Sequence, residues 1–213
     1  MYNKKKNIIC ILPARGGSQR IKNKNILKLF GKPIISYSIQ TAIKSNLFNE
    51  IYVSTDSKKI ALEAKKSGAK VPSLRSKKLS HNKVGLREVL LSFIKKHKLF
   101  DYEYVCCLYP TAANISSNTL KKAYKKLKSL NFDLIVGVKE VEANPLRNFI
   151  IKSKRLKYQN KIFIKKNSQN LTKFYSDAGS FFIFKSKNLK INGLPKKTTF
   201  YLHKKYETVD INT

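Results

Sequence analysis

The apolar positions of this chain follow two patterns, short continuous runs typical of buried strands and a spacing of three to four residues typical of helices. The first run, Ile8–Leu12, has the composition of a strand buried on both faces. Pro13 ends it because proline cannot donate to a sheet ladder. A helix is predicted from Pro33 onward by the spacing of Ile35, Ile39, Ala42 and Ile43.

The alternation of strand and helix continues along the chain. Further strands are predicted over 50–54, 70–72, 104–109 and 134–138. Helices separate most of them: one capped by Ser57 and ended by Gly68, one ended by His97, and one carrying Leu120, Ala123, Tyr124, Leu127 and Leu130. Alternation at this spacing predicts an α/β fold with a mostly parallel, twisted sheet and helices on both faces.

The loop after the first strand has the composition of a phosphate site. Gly16 and Gly17 permit unusual backbone conformations, and cationic and hydroxyl side chains surround them: Arg15, Ser18, Arg20, Lys22 and Lys24. Such a loop at the carboxyl end of a buried strand is where α/β proteins bind phosphate. The loop has neither the GxxxxGK[ST] nor the GxGxxG spacing, which disfavours P-loop NTPases and dinucleotide-binding units. A basic surface turn is the alternative interpretation.

Length and composition indicate one globular domain. The chain has 213 residues with 42% hydrophobic residues, enough for a sizeable core. No apolar run reaches the roughly 20 residues of a membrane span, and the first residues do not resemble a signal peptide, so we expect a cytoplasmic protein. The three cysteines suit reduced core positions, and the three histidines lack metal-ligand spacing, which makes zinc an unexpected ligand.

The net charge of +33 would ordinarily suggest a nucleic acid or an anionic membrane as partner. Lysine pairs are scattered along the whole chain, however, so we interpret the charge as compositional drift and do not expect nucleic-acid binding. Against that background arginine is informative, because its guanidinium offers a fork of donors to phosphate or carboxylate. Four of the six arginines fall in stretches with other functional signals: Arg15, Arg20, Arg75 and Arg147.

Three ordered blocks, PARGGSQRIKNKN, GKPIISYSI and IYVSTD, resemble the opening of the acylneuraminate cytidylyltransferases. Two later blocks, CCLYPTAA and YSDAGSFF, are similar to the pseudaminic acid branch of that family. The resemblance implies a Rossmann-like nucleotidyltransferase fold, with one domain over 1–213 and a small dimerisation excursion at about 140–173. It also implies a homodimer that activates a nine-carbon 2-keto-3-deoxy sugar acid with CTP for cell-surface glycan biosynthesis, releasing pyrophosphate.

The resemblance also assigns roles to individual residues. It implies catalytic roles for Arg15, Lys24 and Asp210, and a Mg²⁺ ion held by Asp210 and Asn212. The residues implied in binding CTP or the sugar acid are Ser18, Arg20, Asn25, Arg75, Tyr109, Arg147, Gly179 and Phe182. We expect Arg147 to pair with the carboxylate of the sugar acid.

The chain departs from the family pattern at four informative positions. Asn212 replaces the second metal-binding aspartate, and Gln19 replaces a loop lysine. Ser180 and Phe182 replace a glutamine and a tyrosine, so the sequence does not identify the sugar acid. Asp56, at the end of the second strand, has two interpretations: a cap for the next helix or a contact with substrate.

Two alternatives to the main functional prediction remain. The first is another nucleotide-sugar synthetase of the CMP-Kdo type, although the GGS spacing of the loop disfavours it. The second is a weakly active homologue that binds polyanions through its basic surface. The net charge and Asn212 motivate this second alternative.

Overall fold

The computed structural model describes residues 7–18, 20–190 and 193–208. Within these ranges the strands are β1 (Ile8–Pro13), β2 (Lys28–Leu29), β3 (Lys32–Pro33), β4 (Glu50–Ser54), β5 (Tyr104–Leu108), β6 (Leu134–Glu140), β7 (Phe149–Lys152), β8 (Arg155–Tyr158), β9 (Tyr175–Lys185) and β10 (Thr198–Leu202). The α-helices are α1 (Ile34–Lys44), α2 (Lys58–Lys66), α3 (Leu86–Lys96) and α4 (Ser117–Ser129). No α-helix in these ranges is long and apolar enough to cross a bilayer.

A six-stranded sheet in the order β10-β6-β9-β5-β1-β4 forms the centre of the molecule. β1 pairs in parallel with β4 and β5, and β10 pairs in parallel with β6. β9 runs antiparallel to both of its neighbours, β5 and β6. The predicted α/β class with a mostly parallel sheet is therefore confirmed.

The strand predicted over 70–72 is wrong in extent. Only Lys70 forms a bridge, parallel to Tyr52 of β4. Its N–H donates to the Ile51 carbonyl at 2.8 Å, and its carbonyl accepts from the Val53 N–H at 2.9 Å. Pro72 has no N–H for the next hydrogen bond of the ladder, so the pairing ends there.

Helices cover both faces of the sheet, as the pattern predicted. On β1, Ile8, Cys10 and Leu12 face one cluster, whereas Ile9 and Ile11 face the other. The first cluster includes the apolar faces of α1, α2 and α4, and the second includes that of α3. Both sides of β1 are thus fully buried, which accounts for its unbroken apolar sequence.

A buried chain of polar side chains connects β9, β10 and α4. His203 directly follows β10, and its Nε2 lies 2.7 Å from Ser180 Oγ on β9. On the other side of the ring, Nδ1 lies 3.4 Å from Glu207 Oε2. Glu207 also accepts hydrogen bonds from Thr119 Oγ1 at 2.6 Å and from the Lys204 N–H at 3.0 Å. The end of the described chain is therefore tied to the sheet and to the first turn of α4.

The protonation states of Glu207 and His203 follow from their surroundings. Burial by itself would raise the pKa of Glu207, but the hydrogen bond from Thr119, the Lys204 N–H and His203 together lower it below its ordinary value. Burial lowers the pKa of His203, although Glu207 opposes that shift. We therefore describe the pair as a carboxylate beside a neutral imidazole near neutral pH.

Replacing this carboxylate should destabilise the fold. We expect Glu207→Gln to lower the free energy of unfolding by about 2 kcal/mol at pH 7, because hydrogen bonds to a buried charged group are lost or weakened. The pKa of Glu207 is lower in the folded state, so its contribution is present above the unfolded pKa of about 4.3 and is lost as the pH falls through the folded pKa. Urea denaturation of parent and variant at pH 7 and in steps below pH 4.5 measures this difference.

Glu142→Gln is the matched control. Glu142 pairs with Lys205 at 2.8 Å, but both side chains are largely exposed, and solvent screens exposed pairs so that they contribute little to stability. Equal destabilisation by Glu142→Gln and Glu207→Gln would contradict the role given to the buried carboxylate.

Candidate active site

Loops from β1, β4 and β5 meet at the carboxyl edge of the sheet, because these strands are parallel and in register. The loop after β1 and the start of the loop after β5 enclose a cavity of about 300 Å³. We call it the loop cavity; it is lined by Pro13, Arg15, Ser18, Arg20, Lys24, Asn25, Tyr109, Pro110 and Thr111. Six residues that the resemblance assigns to catalysis or substrate binding are brought together here.

The backbone of this loop is held by its own residues. The Ser18 N–H donates to the Gly16 carbonyl at 3.0 Å. Asn25 is buried, and its Nδ2 donates to the Arg15 carbonyl at 3.0 Å. At least one amide hydrogen of Asn25 is therefore directed to the loop backbone, a structural contact that the sequence did not reveal.

A second cavity of about 280 Å³ adjoins the first, and the two share Pro13, Arg15 and Tyr109. It is lined further by Arg75, Leu79, Ser80, His81, Asn82, Val84, Leu86 and Val89. Arg75 is fixed here, because its N–H donates to the Thr55 carbonyl at 2.7 Å and its Nε donates to Ser80 Oγ at 3.1 Å. We call this the Arg75 cavity. His81 is exposed on it.

Tyr109 forms the wall between the two cavities. Its ring centroid lies 6.0 Å from that of Phe182, so two residues assigned to substrate binding are neighbours. Burial raises the pKa of Tyr109 well above its usual range, and Asp177 adds to the shift, so the phenol keeps its proton. It can therefore donate a hydrogen bond to a bound ligand.

Asp177 is a residue near this wall that the sequence did not single out. Burial raises its pKa, while a hydrogen bond of 2.8 Å from the Gly179 N–H opposes the shift. Gly179 has a φ of +61°, a conformation that favours glycine, and this allows the tight turn. The sequence did offer a signal, because Asp177 lies in the block YSDAGSFF that resembles the family. Within that block, only Gly179 and Phe182 were assigned roles.

Asp56 does not cap the next helix, which was one of the two interpretations offered by the sequence. Ser57 caps α2 by accepting a hydrogen bond from the Ile60 N–H at 3.4 Å. Asp56 Oδ1 instead accepts a hydrogen bond of 2.8 Å from the Gly16 N–H, and Asp56 lines neither cavity. The parallel pairing of β1 with β4 explains this contact. Pro13 and Ser54 are partners in that pairing, so Gly16 and Asp56 leave the sheet side by side.

The structure does not bring Arg147 to either cavity. It lies in a short 3₁₀ turn, and its guanidinium donates to the Lys166 carbonyl. Asp210, Asn212 and Gln19 lie outside the described residues. Among the residues that are described, no group of three or more His, Cys, Asp or Glu side chains could hold a metal ion.

The chemistry of the loop cavity is that of a polyphosphate site. The polar side chains of the described residues that line it are cations, hydroxyls and an amide, with no carboxylate among them. Guanidinium and ammonium groups that converge on one cavity offer charge-assisted hydrogen bonds to phosphate oxygens. The site can therefore neutralise and orient a bound polyanion.

Comparison with known proteins agrees with this chemistry. The family model for cytidylyltransferases matches residues 9–211. A pseudaminic acid cytidylyltransferase of Campylobacter jejuni is 39% identical over 182 residues, which are 84% of this chain and 78% of that protein. An N-acylneuraminate cytidylyltransferase of Escherichia coli is 35% identical over 135 residues, which are 62% of this chain and 31% of that protein.

The fold is similar to that of a solved CMP:2-keto-3-deoxy-manno-octonic acid synthetase complexed with CTP. The TM-score is 0.67 at 14% identity, and the match covers 92% of this chain and 90% of the other. This similarity shows the Rossmann-like nucleotidyltransferase fold. With a family match over almost its whole length, the chain belongs to the cytidylyltransferase family and is a nucleotidyltransferase of the acylneuraminate cytidylyltransferase type.

Proposed function

We propose that this protein activates a nine-carbon 2-keto-3-deoxy sugar acid of the pseudaminic, legionaminic or sialic type with CTP, giving the CMP-sugar and pyrophosphate. The observation that carries the proposal is the loop cavity, where Arg15, Arg20 and Lys24 converge beside Ser18. The relative from Campylobacter jejuni supports the pseudaminic type.

In this reaction a hydroxyl oxygen of the sugar attacks the α-phosphorus of CTP. The new P–O bond forms as the bond to the pyrophosphate oxygen breaks, and the hydroxyl proton passes to a water molecule, a transfer that we propose Asp210 assists. Positioning and charge neutralisation supply most of the acceleration. We propose that Arg15 and Lys24 stabilise the charge on the departing pyrophosphate, while Ser18 and Arg20 hold the triphosphate.

The rest of the substrate would extend from the loop cavity. We propose that the Arg75 cavity holds the cytidine, since the side-chain amide of Asn82 can donate to and accept from a base. Tyr109 and Phe182 would contact the sugar acid. Arg147 remains our proposed partner for the sugar carboxylate; its guanidinium is already oriented by the carbonyl of Lys166.

The substrate assignment predicts a selective enzyme. With Mg²⁺ present, we expect pyrophosphate release from CTP and at least one nine-carbon acid, and little from ATP, GTP or UTP. The panel of acids is pseudaminic, legionaminic and N-acetylneuraminic acid, with the eight-carbon Kdo as comparison. Thermal stabilisation by each nucleotide is the parallel readout; a hundredfold excess over the dissociation constant corresponds to about 2.7 kcal/mol.

Equal stabilisation by all four nucleotides would contradict CTP selection. Turnover with Kdo alone would favour the CMP-Kdo alternative. Binding of heparin without turnover of any nucleotide would favour the polyanion-binding alternative.

We also propose Mg²⁺ as the cofactor, held by Asp210 and Asn212. Magnesium prefers one or two carboxylates together with phosphate oxygens and waters, and a carboxylate with an amide oxygen fits that preference. When bound, the ion would neutralise triphosphate charge. The described cavity lining brings cations and no carboxylate, so a carboxylate for the ion must come from elsewhere in the chain.

Restoring the second carboxylate should strengthen metal binding. For Asn212→Asp we expect a lower Mg²⁺ midpoint with unchanged or higher turnover, since two carboxylates attract the ion more strongly than one. For Asp210→Asn we expect near-complete loss of activity. Mg²⁺ titration of pyrophosphate release measures both, and Mn²⁺ binding followed by electron paramagnetic resonance measures the site without turnover. An unchanged midpoint in Asn212→Asp together with an active Asp210→Asn would place the metal elsewhere.

We propose that the protein is a homodimer that uses the excursion at about 140–173. The hairpin β7–β8 exposes apolar side chains at Phe149, Ile150, Ile151, Leu156 and Tyr158. Ile162, which follows the hairpin, is exposed as well. An isolated two-stranded hairpin is marginally stable alone, and clustered exposed apolar residues mark interaction sites. A second copy of the chain would cover this surface.

The proposal predicts that Ile151→Asp, at a residue 79% exposed, shifts the protein toward monomer in sedimentation equilibrium. Burying a charge in an apolar interface without a partner is unfavourable. Phe30→Asp is the control, since Phe30 is 91% exposed at the turn between β2 and β3. A parent that sediments as a monomer, or equal behaviour of both variants, would contradict this interface.

The cytoplasm is the location that we propose. The reaction consumes CTP, which is made there, and its product would serve the biosynthesis of cell-surface glycans.

A further inference from the structure

We infer that Asp56 and Asn25 are positioning residues that clamp the Arg15–Gly16 peptide group from both sides and thereby aim the phosphate loop. This inference rests on the proposed function, because it concerns how the loop holds a nucleotide. It gives Asp56 a role other than helix cap or substrate contact, and it adds a positioning role for Asn25.

The two contacts lie on the same peptide unit. Its carbonyl, from Arg15, accepts from Asn25 Nδ2 at 3.0 Å, and its N–H, from Gly16, donates to Asp56 Oδ1 at 2.8 Å. The peptide group is planar, and its carbonyl oxygen and its N–H point in opposite directions. Hydrogen bonds to both of them therefore hold the plane in one orientation. The direction in which the Arg15 side chain leaves the backbone is then set as well.

The clamp is attached to rigid elements. Asn25 is buried, and Asp56 follows β4 by two residues. One step earlier along the loop, the Ala14 N–H donates to the Ser54 carbonyl at 2.9 Å and continues the pairing of β1 with β4. The loop therefore leaves the sheet with its first residues still tied to the neighbouring strand.

Gly16 is needed for this close approach. A Cβ added at Gly16 would lie 3.0 Å from the Ser57 Cβ and 3.7 Å from Asp56 Oδ1. The Gly16 carbonyl also accepts the Ser18 N–H. Through this hydrogen bond the clamp also helps to position Ser18, the next polar residue lining the loop cavity.

The charge of Asp56 has a second effect. Burial lowers the pKa of Arg75, the carboxylate of Asp56 opposes that shift, and Arg15 adds to it. The carboxylate of Asp56 therefore reduces the electrostatic repulsion between Arg15 and Arg75, which line adjacent cavities. It does so from behind the loop, because it lines neither cavity.

The test compares Asp56→Ala and Asp56→Asn. We expect Asp56→Ala to lower kcat/KM on the order of 100-fold, because misplacing a substrate-positioning group by about 1 Å can cost that much. Asp56→Asn keeps an oxygen acceptor and should recover most of the loss, staying within about tenfold of the parent, since a neutral acceptor makes a weaker hydrogen bond. Glu63→Gln, which removes a surface carboxylate paired with Lys66 on α2, is the control and should match the parent.

Direct binding of CTP, measured by calorimetry without sugar acid, separates the explanations. Clamping predicts weaker CTP binding in Asp56→Ala. If Asp56 acted only as a charge facing the triphosphate, its removal would tighten binding, and that result would overturn the inference. A lower unfolding temperature with unchanged kcat/KM per folded enzyme would also overturn it.

Asn25→Ala gives an independent check. Loss of either contact frees the same peptide plane, so Asn25→Ala combined with Asp56→Ala should cost much less than the product of the single losses. Fully multiplicative losses would overturn the clamp. A parent that neither binds CTP nor releases pyrophosphate would overturn the proposed function, whereas a working parent with unaffected variants would overturn the clamp alone.

Discussion

The parallel pairing of β1 with both β4 and β5 is the constraint on which the rest of the structure depends. Ile8–Leu12 is fully buried, with one set of side chains facing α1, α2 and α4 and the other facing α3. A slip of one residue would exchange these two sets, so the register is strongly specified. Because the register is fixed, the loops carrying Arg15, Asp56 and Tyr109 emerge side by side.

The antiparallel strand β9 extends this edge toward the second half of the chain. The middle of β9 lies beside the carboxyl end of β5, where the Tyr109 N–H donates to the Ser180 carbonyl at 2.9 Å. The side chain of Ser180 points to His203 instead and joins the buried chain that ends at Glu207. One strand therefore supports both the aromatic wall of the site and the attachment of the C-terminal part of the chain.

The surplus of positive charge acts at two levels. Most lysines are spread over the surface, where they raise the potential of the whole protein and favour the approach of an anionic nucleotide. At the loop cavity, in contrast, cations converge and bind at close range. With only 12 acidic residues in the chain, each carboxylate is a scarce source of negative charge. Asp56 and Glu207 both accept hydrogen bonds from the backbone, which gives them defined places in the fold.

The sequence by itself determined the local elements and the nature of the loop, since periodicity and glycine positions act over a few residues. It led to β1, β4, β5 and the four α-helices of the described residues, and it grouped the cationic and hydroxyl side chains of the loop after β1. Tertiary structure decided the direction of β9, the single bridge at Lys70, and the contact of Asp56 with Gly16 across 40 positions. These features depend on which segments become neighbours in the folded sheet, and no local pattern records that choice.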